Sequence, residues 1–433
     1  AGRLNLGDGV HLTYCTNVHP GESWAEVRSN FDRYVLAVRD RLGVPGDFGV
    51  GLRLSARAAA ELSEPAALSE FRNFLADHGL YVFTINGFPY GTFHGERVKE
   101  GVYLPDWREP ERLRYTDLLA DLLADLLPQN GPAGTPIEGS VSTVPGAFKP
   151  ALGGPLEVAR MVEHLLLHVA HLVALRSRTG RLIALALEPE PHCFLETVAE
   201  AIDFFKLELH GLAAVRRTME LTGLDQFEAA QALHDHLGLC FDLCHGAVEF
   251  ESAEECVRAL DQAGIRVLKM QISAGLRLPT LDAVAIEELR RFDDPVYLHQ
   301  VVQQDAFGLT RFADLPEALA SLDESTAARE WRVHFHVPIF LDRLAPFAST
   351  QSFVREALAM QRARPISSHL EVETYTWDVL PEPYRSGRID ESVARELAWV
   401  RAELAPQDSV GTSPVPSAGS WRQDRSFSSE GRP

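Results

Sequence analysis

Five apolar runs in the second half of this chain each end on a side chain that a divalent ion accepts. Residues 182–187 lead into Glu188, and 238–241 lead into Asp242, with His245 three positions on. Residues 265–270 end at Gln271, Val333 opens onto His334-Phe335-His336, and 368–372 end at Glu373. Carboxylate, imidazole and amide oxygen are the ligands of hard and borderline cations. A catalytic ion takes three or four of them from different directions and keeps a position for water or substrate. Short strands that all end at one rim deliver ligands in that way.

Each position has a competing explanation. Glu190 shares parity with Glu188, and Glu371 shares parity with Glu373. Asp242 and His245 have the spacing of a pair that caps a helix. His334 and His336 fall on one face of an extended segment, as two surface histidines could. Lys269 has the parity of Gln271, so inside a barrel it needs a charge partner or a substrate. Upstream, His19 follows the first strand and His94 sits in an aromatic, glycine-rich loop of the kind that covers a substrate. His164, His168 and His171 share a helix face without the Glu of a zinc-protease motif and are expected to face solvent. His234 and His236 precede their strand, which assigns them to the opposite rim.

The elements that must position these groups alternate throughout. Strand patterns at 9–15, 48–54, 80–85, 137–143, 182–187, 237–241, 265–270 and 368–372 are mostly separated by helical periodicity, clearest at 156–178. Eight β/α units in order predict an α/β fold, a (β/α)8 TIM barrel, with its chemistry at the strand C-termini. No glycine-rich turn follows the first strand, as a doubly wound sheet would require. About 95 residues separate Gln271 from the last strand. They predict a large insertion between the last two strands (272–365) that brings His334 and His336 back over the strand ends. The barrel is expected over 1–405, and the Ser-, Pro- and Gly-rich stretch 406–433 is expected to be a disordered tail.

Composition narrows the partners. A formal charge of −20 disfavours nucleic acid and anionic lipid surfaces. Five scattered cysteines, an odd number, fit reduced thiols better than a disulfide framework. No apolar signal core opens the sequence, and no apolar stretch of membrane-spanning length is apparent. These readings predict a cytoplasmic protein with no direct membrane insertion and a small-molecule partner.

The order strand-end Glu, Asp-x-x-His, polar residue, His-x-His, closing Glu resembles the xylose-isomerase-like TIM barrels. That group holds sugar and sugar-phosphate isomerases and epimerases, and endonuclease IV. Asp242-Leu-Cys-His245 resembles the Asp-Thr-Cys-His of endonuclease IV, and Glu373-Thr374 its closing Glu-Thr. His334 stands where that family carries Asp, and Gln271 where it usually carries His. A second resemblance is to EboE-type metabolite traffic proteins, through residues 11–24, 86–95, 102–107 and 369–377. It implies a role in making or moving a small metabolite, beside other products of the same gene cluster, including a UbiA-like prenyltransferase. Asn86 and Trp377 lie in these stretches and join His19, His94 and Lys269 as candidate substrate contacts.

The combined expectation is a metal-dependent isomerase- or epimerase-like protein using Mn, Zn, Co or Mg. Glu188 and Glu373 would exchange the proton, and both would help Asp242, His245, Gln271, His334 and His336 hold the ion. The alternatives are metal-dependent phosphoester hydrolysis and a non-catalytic, metabolite-binding trafficking component.

Overall fold

A computed structural model describes residues 9–89, 99–132, 134–293, 297–324, 328–377, 380, 382, 384–385 and 387–406 of the chain. The expected tail lies almost wholly outside these residues, as does His94.

Eight strands run parallel in one sheet: β1 (His11–Tyr14), β2 (Phe48–Arg53), β3 (Leu80–Asn86), β4 (Gly139–Thr143), β5 (Ile183–Leu187), β6 (Leu237–Asp242), β7 (Val267–Ile272) and, last in the chain, β14 (His369–Val372). Apart from the first residue of β7, each strand is buried along its whole length. Near-continuous apolar runs such as Ile183-Ala-Leu-Ala-Leu187 are what a strand covered on both faces requires. The strand order is β1-β14-β7-β6-β5-β4-β3-β2, and a parallel bridge between Cys15 and Gly51 joins the two ends. The sheet therefore closes as a (β/α)8 barrel.

Gly51 is required where it stands. A Cβ there would lie 1.9 Å from Glu371 Oε2 and 2.8 Å from the Tyr14 carbonyl. The missing side chain admits the Glu371 carboxylate into the barrel. Glu371 Oε1 meets Lys269 Nζ at 3.1 Å, both side chains wholly buried, an ionic contact rather than an aligned hydrogen bond. Asn86 Nδ2 donates to Glu371 Oε2 at 3.0 Å, while its Oδ1 accepts from Lys269 at 3.0 Å and from Gln271 Nε2 at 3.1 Å. Lys269 also reaches Ser142 Oγ at 3.2 Å. The charge partner that Lys269 needs is thus Glu371, inside the barrel.

The connection from β7 to β14 carries a second, antiparallel sheet. Its strands are β8 (Ala274–Leu278), β9 (Val301–Asp305), β10 (Gly308–Phe312), β11 (Glu330–Val337), β12 (Arg343–Leu344) and β13 (Phe347–Ser349), in the order β10-β9-β11-β8-β13-β12. The following helix, Gln351–Ala363, packs between the helices Ala253–Gln262 and Ile389–Leu404 and so belongs to the outer ring of the barrel. Register slips between Val333 and Val337 where β11 meets β8. Such an irregularity re-aims side chains, and His334 and His336 fall within it.

One expectation fails in the helical ring. The histidine face of the helix Pro155–Thr179 does not point to solvent. His168 Nδ1 lies 2.6 Å from Asp117 Oδ1 and His171 Nε2 lies 2.8 Å from Asp121 Oδ1, both on the neighbouring helix Pro110–Leu126. His164 bonds the Trp107 carbonyl at 2.6 Å. This helix is also long and apolar enough to cross a membrane by length and composition. Its apolar face instead packs in the ring, burying Met161, Leu165, Val169, Leu172 and Leu175. His236, by contrast, bonds the Ile183 carbonyl at the start of β5, at the opposite rim as expected.

Removing one member of a buried ion pair strands the other, at a cost of about 3–5 kcal/mol. Lys269→Met should lose about that much stability in urea denaturation. The double variant Lys269→Met/Glu371→Leu should be more stable than Lys269→Met alone; additive losses would mean that the two charges are not coupled.

Candidate metal centre

Asp242 is the last residue of β6 and also the N-cap of the short helix Leu243–Val248. Its Oδ1 accepts from the backbone N–H groups of Cys244 (2.8 Å) and His245 (3.1 Å) and from Ser273 Oγ (2.7 Å). Capping and ligation are therefore not rivals here. The cap consumes one oxygen and fixes the other: Oδ2 is buried, makes no hydrogen bond among the described residues, and lies 3.5 Å from His245 Nε2.

Three imidazoles meet beside it. His245 Nδ1 bonds the Pro189 carbonyl at 2.9 Å, His334 Nδ1 bonds Gln300 Oε1 at 2.7 Å, and His336 Nδ1 bonds the Glu373 carbonyl at 3.0 Å. All three partners are acceptors, so each Nδ1 carries a proton and each Nε2 is turned towards the other rings; burial opposes charge on His336, but Cys244, Asp242 and Glu373 push that imidazole well above its usual range. The Nε2 atoms face one another: His245 Nε2 is 2.9 Å from His334 Nε2, which is 3.3 Å from His336 Nε2. Nitrogens this close need a proton or a metal ion between them. Two nitrogens bound at about 2.05 Å in a tetrahedral site stand roughly 3.3 Å apart, so the spacing fits a divalent ion. The donor atoms of Glu188, Asp242 and His245 form a second close group, all within 4.8 Å of one another.

The two outer carboxylates continue the barrel ladder by one residue, with Glu188 N–H on the Thr143 carbonyl and Glu373 N–H on the Ile272 carbonyl, each at 3.1 Å. Burial, then the neighbouring Glu373 and Asp242 carboxylates, pushes Glu188 well above the usual carboxylate range. Burial and Asp242 raise Glu373 to about 8, even though Tyr375 donates to its Oε1; its Oε2 is another buried oxygen without a hydrogen bond. For Asp242, burial is outweighed by His245, His336, the Ser273 hydroxyl and the adjoining Glu188 carboxyl, which hold it below the usual range while the same contact helps raise Glu188. Burial, then His245 and His336, keeps His334 neutral, as a ligand must be. Buried acids of opposite protonation tendency beside converging imidazole nitrogens mark a site built for a positive charge.

A cavity of about 470 Å³ opens onto this cluster, bordered by Glu188, Glu190, His245, His334, His336, Glu373 and Tyr375. Val18, Phe88, Val102, Val144, Leu298 and Phe335 supply apolar walls, and His19 and Arg53 line it too. His19 is held by Tyr14 Oη at 2.8 Å and stacks on Tyr34.

The sequence-derived candidates thus separate. Glu188, Asp242, His245, His334, His336 and Glu373 come together, and His19 reaches the cavity wall. Asn86, Lys269 and Gln271 do not line the cavity; they form the polar plug inside the barrel, where Gln271 stands in register with Asp242 and Glu371. Trp377 is buried against Phe340, away from the cavity lining. Three contributors were not anticipated: Gln300 Nε2 donates to Tyr103 Oη at 2.9 Å, Tyr103 donates to Glu190 Oε1 at 2.9 Å, and Tyr375 holds Glu373. Tyr103 and Tyr375 lie in the stretches that carry the EboE-type resemblance, a signal that could have found them. Nothing local marks Gln300.

No family model and no curated protein matches the sequence. Solved structures of similar fold include 3-keto-D-glucoside 4-epimerase from E. coli, at 14% identity over 91% of this chain and 99% of that one, TM-score 0.41. A xylose isomerase domain protein from Planctomyces limnophilus is 14% identical over 85% and 90%, TM-score 0.43. The IOLI protein with a bound zinc atom is 12% identical over 91% and 97%, TM-score 0.41. These likenesses are too distant to assign chemistry, and the barrel assignment rests on the strand order of this chain.

A partner that fixes a ligating imidazole contributes about 10–100-fold in metal affinity. Gln300→Leu should weaken zinc binding by about that factor in competition with a chromophoric chelator. Unchanged affinity would contradict the protonation pattern assigned to His334.

Proposed function

We propose that this chain is a metal-dependent isomerase or epimerase of a small polyhydroxylated carbonyl compound. The observation that carries the reading is the convergence of three imidazole Nε2 atoms and an unpartnered oxygen of Asp242 beside two buried glutamates at one cavity. His245, His334, His336 and Asp242 would hold the ion, with Glu188 and Glu373 within reach. A divalent ion there supplies Lewis-acid polarisation of a substrate carbonyl or hydroxyl oxygen.

The side chains of the chain do the rest. Glu188 and Glu373 follow β5 and β14, on different sides of the cavity mouth, so one removes a proton from the carbon beside the carbonyl and the other returns one. Tyr375 orients Glu373 by donating to Oε1, leaving Oε2 as the basic oxygen. The apolar walls exclude water from the exchanging proton. Glu190, tied to Tyr103, is oriented by the chain that fixes His334 and serves as a further contact for substrate hydroxyls.

The EboE-type resemblance supports placing this chemistry in the biosynthesis or traffic of a small metabolite, beside a UbiA-like prenyltransferase. Phosphoester hydrolysis is the second reading. Two close donor groups share His245, and a second bound ion would favour hydrolysis.

Turnover should be screened on ketoses, aldoses and cyclic polyols. Glu188→Gln and Glu373→Gln should each lower kcat by about 10²–10⁴-fold while the protein stays folded. Full activity in both would remove the acid/base assignment. Binding with no conversion in the wild type would favour the non-catalytic component.

A further inference from the structure

Cys244 has no part in the scheme above, yet its sulfur lies against the same cluster. The donor atoms of Asp242, Cys244 and His336 all lie within 4.8 Å of one another, and all three residues are buried. The backbone fixes Cys244 tightly: its N–H donates both to Asp242 Oδ1 at 2.8 Å and to Ser273 Oγ at 3.0 Å. His336 spends Nδ1 on the Glu373 carbonyl, so Nε2 is the nitrogen it offers. Asp242 spends Oδ1 on the helix cap, so the unpartnered Oδ2 is the oxygen it offers. Gly275 makes room on the other side, where a Cβ would stand 3.3 Å from the Cys244 sulfur. The remaining neighbours, Val248 and Val302, are apolar. Packing alone would explain a small buried residue here. It does not explain why a carboxylate with an orphaned oxygen and an imidazole hydrogen-bonded to the sulfur converge on it.

We infer that Cys244 is a thiolate ligand to the cation held by Asp242 and His336. The centre then has a mixed nitrogen, oxygen and sulfur donor set that selects zinc-like ions over magnesium or manganese. The inference rests on the metal reading of the site and adds a ligand to it. As the metal–sulfur bond forms, the thiol S–H bond breaks and its proton passes to solvent, with no change of oxidation state. Sulfur suits borderline and soft ions, whereas magnesium and manganese favour oxygen.

Cobalt(II) reports sulfur ligation directly. Metal-stripped full-length protein is titrated with cobalt(II) and followed by visible and near-ultraviolet absorption. The wild type should show a sulfur-to-cobalt charge-transfer band together with the visible ligand-field bands. Cys244→Ser should lose the charge-transfer band and keep the ligand-field bands. Cys15→Ser, whose sulfur lies 3.4 Å from Tyr375 Oη, should retain both. Ligand-field bands without a charge-transfer band in the wild type would overturn the sulfur ligand and leave the histidine and carboxylate centre standing. A band that survives in Cys244→Ser would overturn it as well. No cobalt spectrum at all would remove the metal centre itself. Should Cys244→Ser fail to fold, X-ray absorption of the zinc-loaded wild type decides. A sulfur shell at about 2.3 Å beside nitrogen and oxygen at about 2.0–2.2 Å supports the ligand, and a shell of light atoms alone refutes it.

Discussion

Three imidazoles that turn their Nε2 atoms towards one another, with an unpartnered carboxylate oxygen beside them, need a proton or a metal ion at their meeting point. Each ring is locked by an acceptor at Nδ1: a carbonyl of Pro189, the amide oxygen of Gln300, a carbonyl of Glu373. Two of these acceptors are backbone atoms at the ends of β5 and β14. The same strand ends that deliver Glu188 and Glu373 therefore also dictate which nitrogen of His245 and His336 is free. The close Nε2 atoms and the buried Asp242 Oδ2 both call for positive charge between them. The divalent cation we propose would meet both needs at once.

The barrel and the second sheet divide the work of building this site. The parallel strands supply carboxylates at fixed points around the mouth. Beneath them, Lys269, Glu371, Asn86, Gln271 and Ser142 fill the interior with a hydrogen-bonded plug, so the floor under the cluster is charged and closed. The second sheet brings His334 and His336 from outside the barrel, at an irregularity in β11 that turns both rings inward. Neither sheet alone holds three histidines. The distance in sequence between His245 and His336 is bridged only because β8 follows β7 directly and pairs with β11.

Much of this was legible in the residues. Apolar runs of strand length, separated by helical periodicity, place all eight barrel strands to within a few residues, because a strand buried on both faces admits few alternatives. Polar residues at the ends of those runs stand out for the same reason, and five of the seven first-named ligand candidates lie within one or two residues of a strand terminus. The failures share a physical cause. Gln271 and Lys269 have the parity of ligands, but parity says only that a side chain points into the barrel, not how high it sits. Their height is set by barrel stagger and by Gly51, which lets Glu371 reach Lys269. The histidines of the helix Pro155–Thr179 were assigned to solvent because their acidic partners, Asp117 and Asp121, belong to another helix, and helix pairing is not written in either one. Gln300 and Tyr103 escaped notice because each acts through a neighbour. Trp377 was drawn in by its stretch of sequence, yet its ring packs away from the cavity.

The central claim is that one cation sits at the meeting point of His245, His334 and His336. The direct measurement is a crystal structure of zinc-loaded protein with anomalous scattering recorded on both sides of the zinc edge. The account predicts an anomalous peak about 2.0–2.1 Å from each of the three Nε2 atoms, with Asp242 Oδ2 turned towards it. No such peak, with the rings rotated to hydrogen-bond one another or ordered water, would contradict it.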